Sequence, residues 1–79
     1  MKLTALSKEV FEYVKSNGGK VSIEELANAT GRSTRSVGAN VTDLKKKKLA
    51  ERVKEKVEDK EITYVVLTEE GVNFVPTED

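Results

Sequence analysis

Apolar residues recur at helical spacing from the start of the chain, with Leu3, Leu6, Val10, Phe11 and Val14 forming one stripe. This predicts a first helix that Thr4 caps and that Asn17-Gly18-Gly19 stops. Lys20-Val21 leaves room only for a short strand. Ser22 then precedes Ile23-Glu24-Glu25-Leu26-Ala27, where Glu25 three residues after the cap predicts a capping box. Leu26 and Ala27 face the core of this second helix, and Gly31 ends it. A third helix follows over 33–47, with Ser33 or Thr34 as its cap. Val37, Val41 and Leu44 fall within about 60° of arc on its wheel and predict a buried stripe. Opposite them project Arg35, Ala39, Thr42 and Lys46, with Arg32, Ser36 and Asp43 beside them. Gly38 stands out, because glycine inside a helix costs about 1 kcal/mol relative to alanine. Close approach of a phosphate backbone or of a neighbouring helix would account for it, as would simple tolerance.

From Leu49 the period changes to two. Leu49, Val53 and Val57 share one face, and Arg52, Lys54 and Lys56 share the other. Ile62 to Leu67 is a second β-rich run, and Glu58 to Glu61 lies between as a polar turn, so 49–67 predicts a hairpin. Thr68-Glu69-Glu70-Gly71-Val72-Asn73-Phe74 fits a capped helical turn, ended by Pro76 and an acidic tail over 76–79. The order is helix, short strand, helix, helix, strand, strand, helical turn. Within it, residues 23–44 form a helix, a glycine turn and a second helix with a polar outer face, the pattern of a helix-turn-helix.

The chain resembles the winged helix-turn-helix domains of the MarR and GntR regulators, over almost its whole length. Their helix pair commonly carries a Glu-Leu-Ala, a turn glycine and spaced aliphatic residues before a strand-turn-strand wing. The matching positions are Glu25-Leu26-Ala27, Gly31, Val37, Val41, Leu44 and Leu49-Ala50, and Leu67-Thr68-Glu69-Glu70-Gly71 is typical of the stretch after a MarR-like wing. The resemblance implies an α+β fold, a three-helix bundle with a C-terminal β-hairpin wing, spanning residues 1–79 as one domain. Two departures matter. Lys48 stands where these families usually place glycine, so a residue with a side chain must make an unusual turn there. The dimerisation or effector domains of the full-length regulators have no counterpart in this sequence.

Composition narrows the function. Seventy-nine residues with 37% hydrophobic content allow a small core. The sequence has no apolar run of signal-peptide or transmembrane character, so a cytoplasmic protein is the expectation. Cysteine and histidine are both absent, which excludes disulfides and the usual structural zinc site and removes the commonest general base and thiol nucleophile. The acidic residues fall on helix faces and in turns with no converging pair. Neither an enzyme nor a cofactor is expected. The net charge is zero, which as an average opposes nucleic-acid binding. Its distribution is uneven: residues 31–48 carry six cations against Asp43 alone, and the rest carries eight cations against thirteen acids. Lys45 to Lys48 serve equally as part of a basic patch or as a solvated helix end complementing the macrodipole.

If the domain docks as the resemblance implies, the third helix enters the major groove of double-stranded DNA. Arg35 is the candidate for guanine, since its guanidinium matches O6 and N7. Ser33, Thr34 and Ser36 would meet phosphates or base edges, while Ala39, Thr42 and Lys46 complete the exposed face. Arg32 fits a phosphate contact or a solvated turn, and Asn40 fits adenine readout or a buried structural bond. Lys54 and Lys56 are the wing candidates, with Lys60 beside them, diluted by Glu55, Glu58, Asp59 and Glu61. The alternative is a winged-helix protein-interaction module without DNA binding. Strand Ile62–Leu67 is apolar on both faces, which predicts a surface for a homodimer or another protein partner.

Overall fold

The computed structural model describes residues 3–75; the acidic tail expected over 76–79 lies outside the described residues. Its elements are α1 (Ala5–Ser16), β1 (Lys20–Ser22), α2 (Ile23–Thr30), α3 (Thr34–Lys46), β2 (Ala50–Val57), β3 (Lys60–Leu67) and α4 (Glu69–Asn73). The helix starts are set locally. Thr4, Ser22, Ser33 and Thr68 each sit in extended backbone, and their hydroxyls accept the N–H three residues on. Ser33, rather than Thr34, is therefore the cap of α3. At α2 only the first half of the expected capping box is drawn: Glu25 donates its N–H to Ser22 Oγ at 3.1 Å, while its carboxylate accepts from the Tyr13 hydroxyl at 2.8 Å. The carboxylate of Glu25 thus ties α2 to α1 and holds the Tyr13 hydroxyl above its ordinary pKa.

The core is built where the stripes meet. Phe11, Leu26, Leu44, Val10, Val14, Val37, Val41 and Val65 are fully buried. Each contributes about 1.5–3 kcal/mol relative to an exposed side chain. Phe74 closes one side, meeting Phe11 edge to face at 5.5 Å between centroids. Gly31 ends α2 in the left-handed conformation and turns the chain into α3. One polar contact pins α1 to α3: the buried Ser7 hydroxyl donates to Asp43 Oδ2 at 2.9 Å.

The sheet is antiparallel with order β1-β3-β2, so β3 is the central strand. Strand β3 is longer than its apolar run because a two-residue turn, Glu58-Asp59, already returns the chain at Lys60. Both turn residues have positive φ, the geometry of a tight primed hairpin. The first wing strand begins at Ala50, one residue later than its alternation suggested. Leu49 is buried by the turn before the strand, whereas Val53 and Val57, on the same alternating set, are exposed. The core-directed side of β2 starts instead at Ala50, which is fully buried, and carries Arg52 opposite Val65.

That turn explains the lysine at the glycine position. Lys48 adopts φ 63°, its N–H donates to Lys45 O at 3.0 Å, and Leu49 N–H donates to Leu44 O at 2.9 Å. These two bonds form a Schellman motif, with Lys48 in the left-handed position that glycine usually fills. Among the described residues no helix is long and apolar enough to cross a membrane.

Candidate nucleic-acid interface

Helix α3 presents its polar side to solvent because its apolar stripe is consumed by α1, α2 and the sheet. Val37, Val41 and Leu44 have no exposed surface, whereas Thr34, Arg35, Ala39, Lys45 and Lys46 are exposed. Arg35 and Lys46 project without any hydrogen bond or ion pair among the described residues. The acid of this helix is turned away. Asp43 faces α1, accepting from Lys47 Nζ at 2.6 Å and from Ser7. The hydrogen bond from Lys47, aided by that from Ser7, outweighs partial burial and holds its carboxyl below the ordinary value of 3.8. The outer arc of α3 therefore carries net positive charge, with Lys46 acting on Asp43 only through longer-range attraction.

Other candidates from the sequence make contacts within the fold. Arg32 is only 17% exposed in its side chain; its Nη1 donates to Asn40 Oδ1 at 2.6 Å, and Nη2 lies 3.6 Å from Glu9. The longer contact acts through charge, since Nη2 and Nε make no hydrogen bond. Arg32 thus bridges the α2–α3 turn to α1, and a phosphate contact would require it to leave Asn40 and Glu9. Asn40 takes the structural alternative, and Ser36 Oγ lies at the limit of Arg32's reach, 3.5 Å. The Ser33 hydroxyl oxygen accepts the cap bond from Ser36 N–H at 3.1 Å, which leaves its own proton to donate outward. Thr42 is half-buried, donating to Gly38 O at 3.0 Å and accepting from Arg52 Nη2 at 2.8 Å.

On the wing, Lys54 lies 3.7 Å from Glu61, both side chains being exposed, so its charge is partly balanced. Lys56 is exposed and has no partner among the described residues. Gly38 is not required by a tight neighbour: a Cβ there would sit 3.6 Å from Arg52 Nη2 and 3.7 Å from Ile23 Cδ1, ordinary contacts. Arg52, which sequence patterning did not single out, lies at the junction of the wing and α3. Its Nη2 donates to Gly38 O at 2.6 Å and to Thr42 Oγ1, joining the wing to α3. Its alternation with Lys54 and Lys56 gave no sign of this, because the contact spans the turn between helix and strand.

The far side of the sheet is different. Ile62, Tyr64 and Val66 are half-buried there, beside Val53 and Val57. Lys20 crosses this stripe, its ammonium 4.6 Å from the Tyr64 ring centre and 2.6 Å from Glu55 Oε2. The bond that Lys20 donates to the Glu55 carboxylate raises the Lys20 pKa above its ordinary value. Among the described residues no group of three or more acidic side chains converges to hold a metal ion.

Comparison with known proteins adds one likeness. No protein-family model matches the sequence, and no curated protein matches it. Among solved structures, the chain is similar to that of a transcriptional regulator homologue protein from Pyrococcus horikoshii OT3. The TM-score is 0.74 at 14% identity, over 84% of this chain and 64% of that one. The bundle of α1–α3, the three-stranded antiparallel sheet, the hairpin after α3 and the short α4 agree with that likeness. The fold is a winged helix-turn-helix. In this winged helix α3 occupies the second-helix position and β2–β3 is the wing. The winged helix spans about two thirds of the length of that regulator homologue.

Proposed function

We propose that this winged helix binds double-stranded DNA and acts as a small transcriptional regulator, like the MarR and GntR domains its helix pair resembles. The observation that carries the reading is the outer arc of α3. Arg35 and Lys46 are exposed and unpaired among the described residues, while Asp43 on the same helix is turned inward onto Ser7 and Lys47. A helix with that arc in the major groove offers Arg35 to guanine and Thr34, Ala39 and Lys46 to the neighbouring bases and phosphates. The wing adds Lys56 along the backbone, with Lys54 weakened by Glu61. Function is by occupancy, without catalysis or a cofactor. Two copies on paired half-sites would multiply the contacts of so small a reader.

Titration of a fluorescent duplex at two salt concentrations tests this. About four phosphate contacts give a salt slope near −3.6, so affinity falls about 150-fold between 50 and 200 mM salt. Arg35→Ala loses a further ~5- to 150-fold, the worth of one bidentate base contact. No binding at low salt sinks the proposal. It would favour the protein-interaction reading, which the half-buried Ile62, Tyr64 and Val66 with exposed Val53 and Val57 support.

A further inference from the structure

We propose that Arg52 is a pre-positioned phosphate ligand at the junction of α3 and the wing, an inference that rests on the DNA-binding reading. Both protons of Nη2 are committed, to Gly38 O at 2.6 Å and Thr42 Oγ1 at 2.8 Å. Nε and Nη1 keep three N–H donors without an acceptor among the described residues, on a residue that is exposed. The guanidinium is thus anchored by one nitrogen and open at the others.

Its location follows from the register. Arg52 stands opposite Val65, and the nearest positions on that side of the sheet are Ala50, Lys54, Thr63 and Val65, none of them acidic. Glu51 and Glu55 fall on the opposite side. Along α3, the anchor points lie one turn after Arg35 and one turn before Lys46. The helix advances 1.5 Å per residue, so Arg35 and Lys46 are about 16 Å apart with Arg52 between them. The three cations form a row along the exposed flank of α3, drawn from two elements. Anchoring also removes side-chain freedom in the free protein that a mobile arginine would lose on binding. Gly38 and Thr42 then have a shared role: one supplies the carbonyl, the other the hydroxyl, that fix this side chain.

The test compares salt slopes for duplex binding, with thermal melts confirming that each variant is folded. Arg52→Gln removes the charge and lowers the slope by about 0.9, the release of one counterion, while weakening binding. Arg52→Lys keeps the slope but binds more weakly, because an ammonium that holds Nη2's two bonds has one donor left to present, against three for the guanidinium. Thr42→Val removes half of the anchor and weakens binding a few-fold at unchanged slope. If Arg52 only braces the fold, Gln and Lys variants weaken binding alike and both keep the wild-type slope, which overturns the proposal while DNA binding stands. A wild-type protein that fails to bind the duplex removes both.

Discussion

Lys48→Gly is expected to stabilise the protein. Lys48 holds φ 63°, a conformation that costs a residue with a Cβ about 1–2 kcal/mol. The Schellman bonds that define the turn, Lys48 N–H to Lys45 O and Leu49 N–H to Leu44 O, are backbone only and survive the substitution. The same holds for the Thr68 hydroxyl, which donates to Lys48 O at 2.7 Å. The lysine side chain is exposed, so little packing is lost. Against the relief stands the larger freedom of glycine in the unfolded chain, about 0.5–1 kcal/mol. Taken at their midpoints these terms leave about 0.75 kcal/mol in favour of the variant, or a rise in Tm of about 3–6 °C for a domain of this size. Thermal melting followed by circular dichroism measures it. An unchanged or lower Tm would refute the reasoning, and would mean that the lysine makes a stabilising contact that outweighs its backbone conformation.

Gly71→Ala acts in the opposite direction. A Cβ at Gly71 would overlap the Leu49 carbonyl oxygen and lie 3.0 Å from its carbon, so α4 must lift from the turn that Thr68 N–H fastens to Leu49 O. A loss of about 3 kcal/mol is expected in urea unfolding, and one below about 1 kcal/mol would contradict the close approach. Gly38→Ala meets only ordinary contacts and gains helix propensity, so its denaturation midpoint rises by the equivalent of about 1 kcal/mol; a fall would show that Arg52 or Ile23 cannot accommodate the methyl. Asp43 has a folded pKa below its ordinary 3.8, so its contribution to stability is present above pH 4 and is lost as pH falls through the lowered value. Asp43→Asn should be less stable than the wild type at pH 6, with the difference narrowing below pH 4; a gap independent of pH would contradict the ion pair.

What could be read from the chain alone was whatever depends on neighbours three or four residues away. The caps at Thr4, Ser22 and Thr68, the Gly31 turn and the Val37-Val41-Leu44 stripe are local, whereas the unusual turn at Lys48 came from the resemblance, which places glycine there. Contacts between distant segments were not legible. Ser7 reaches Asp43 across 36 positions, which is why Asp43 looked like a neighbour of the exposed arc rather than a residue turned away from it. Arg32 looked available because Asn40 and Glu9, which engage it, lie on other turns and another helix. The side of β2 that meets the core was ambiguous, since Val53 and Val57 are apolar yet exposed, while the small Ala50 is buried. The pairing of β1 with β3 placed the apolar β3 in the centre of the sheet, a matter of register that no local pattern specifies.

The central claim is that the outer arc of α3 is the surface that meets DNA. Amide chemical-shift mapping of the protein with a short duplex tests it most directly. The account predicts that the largest changes fall on Thr34, Arg35, Ala39, Thr42 and Lys46, with Arg52 and Lys56 of the wing next, all reduced by added salt. Changes centred instead on Ile62, Tyr64 and Val66, or no changes at low salt, would contradict it.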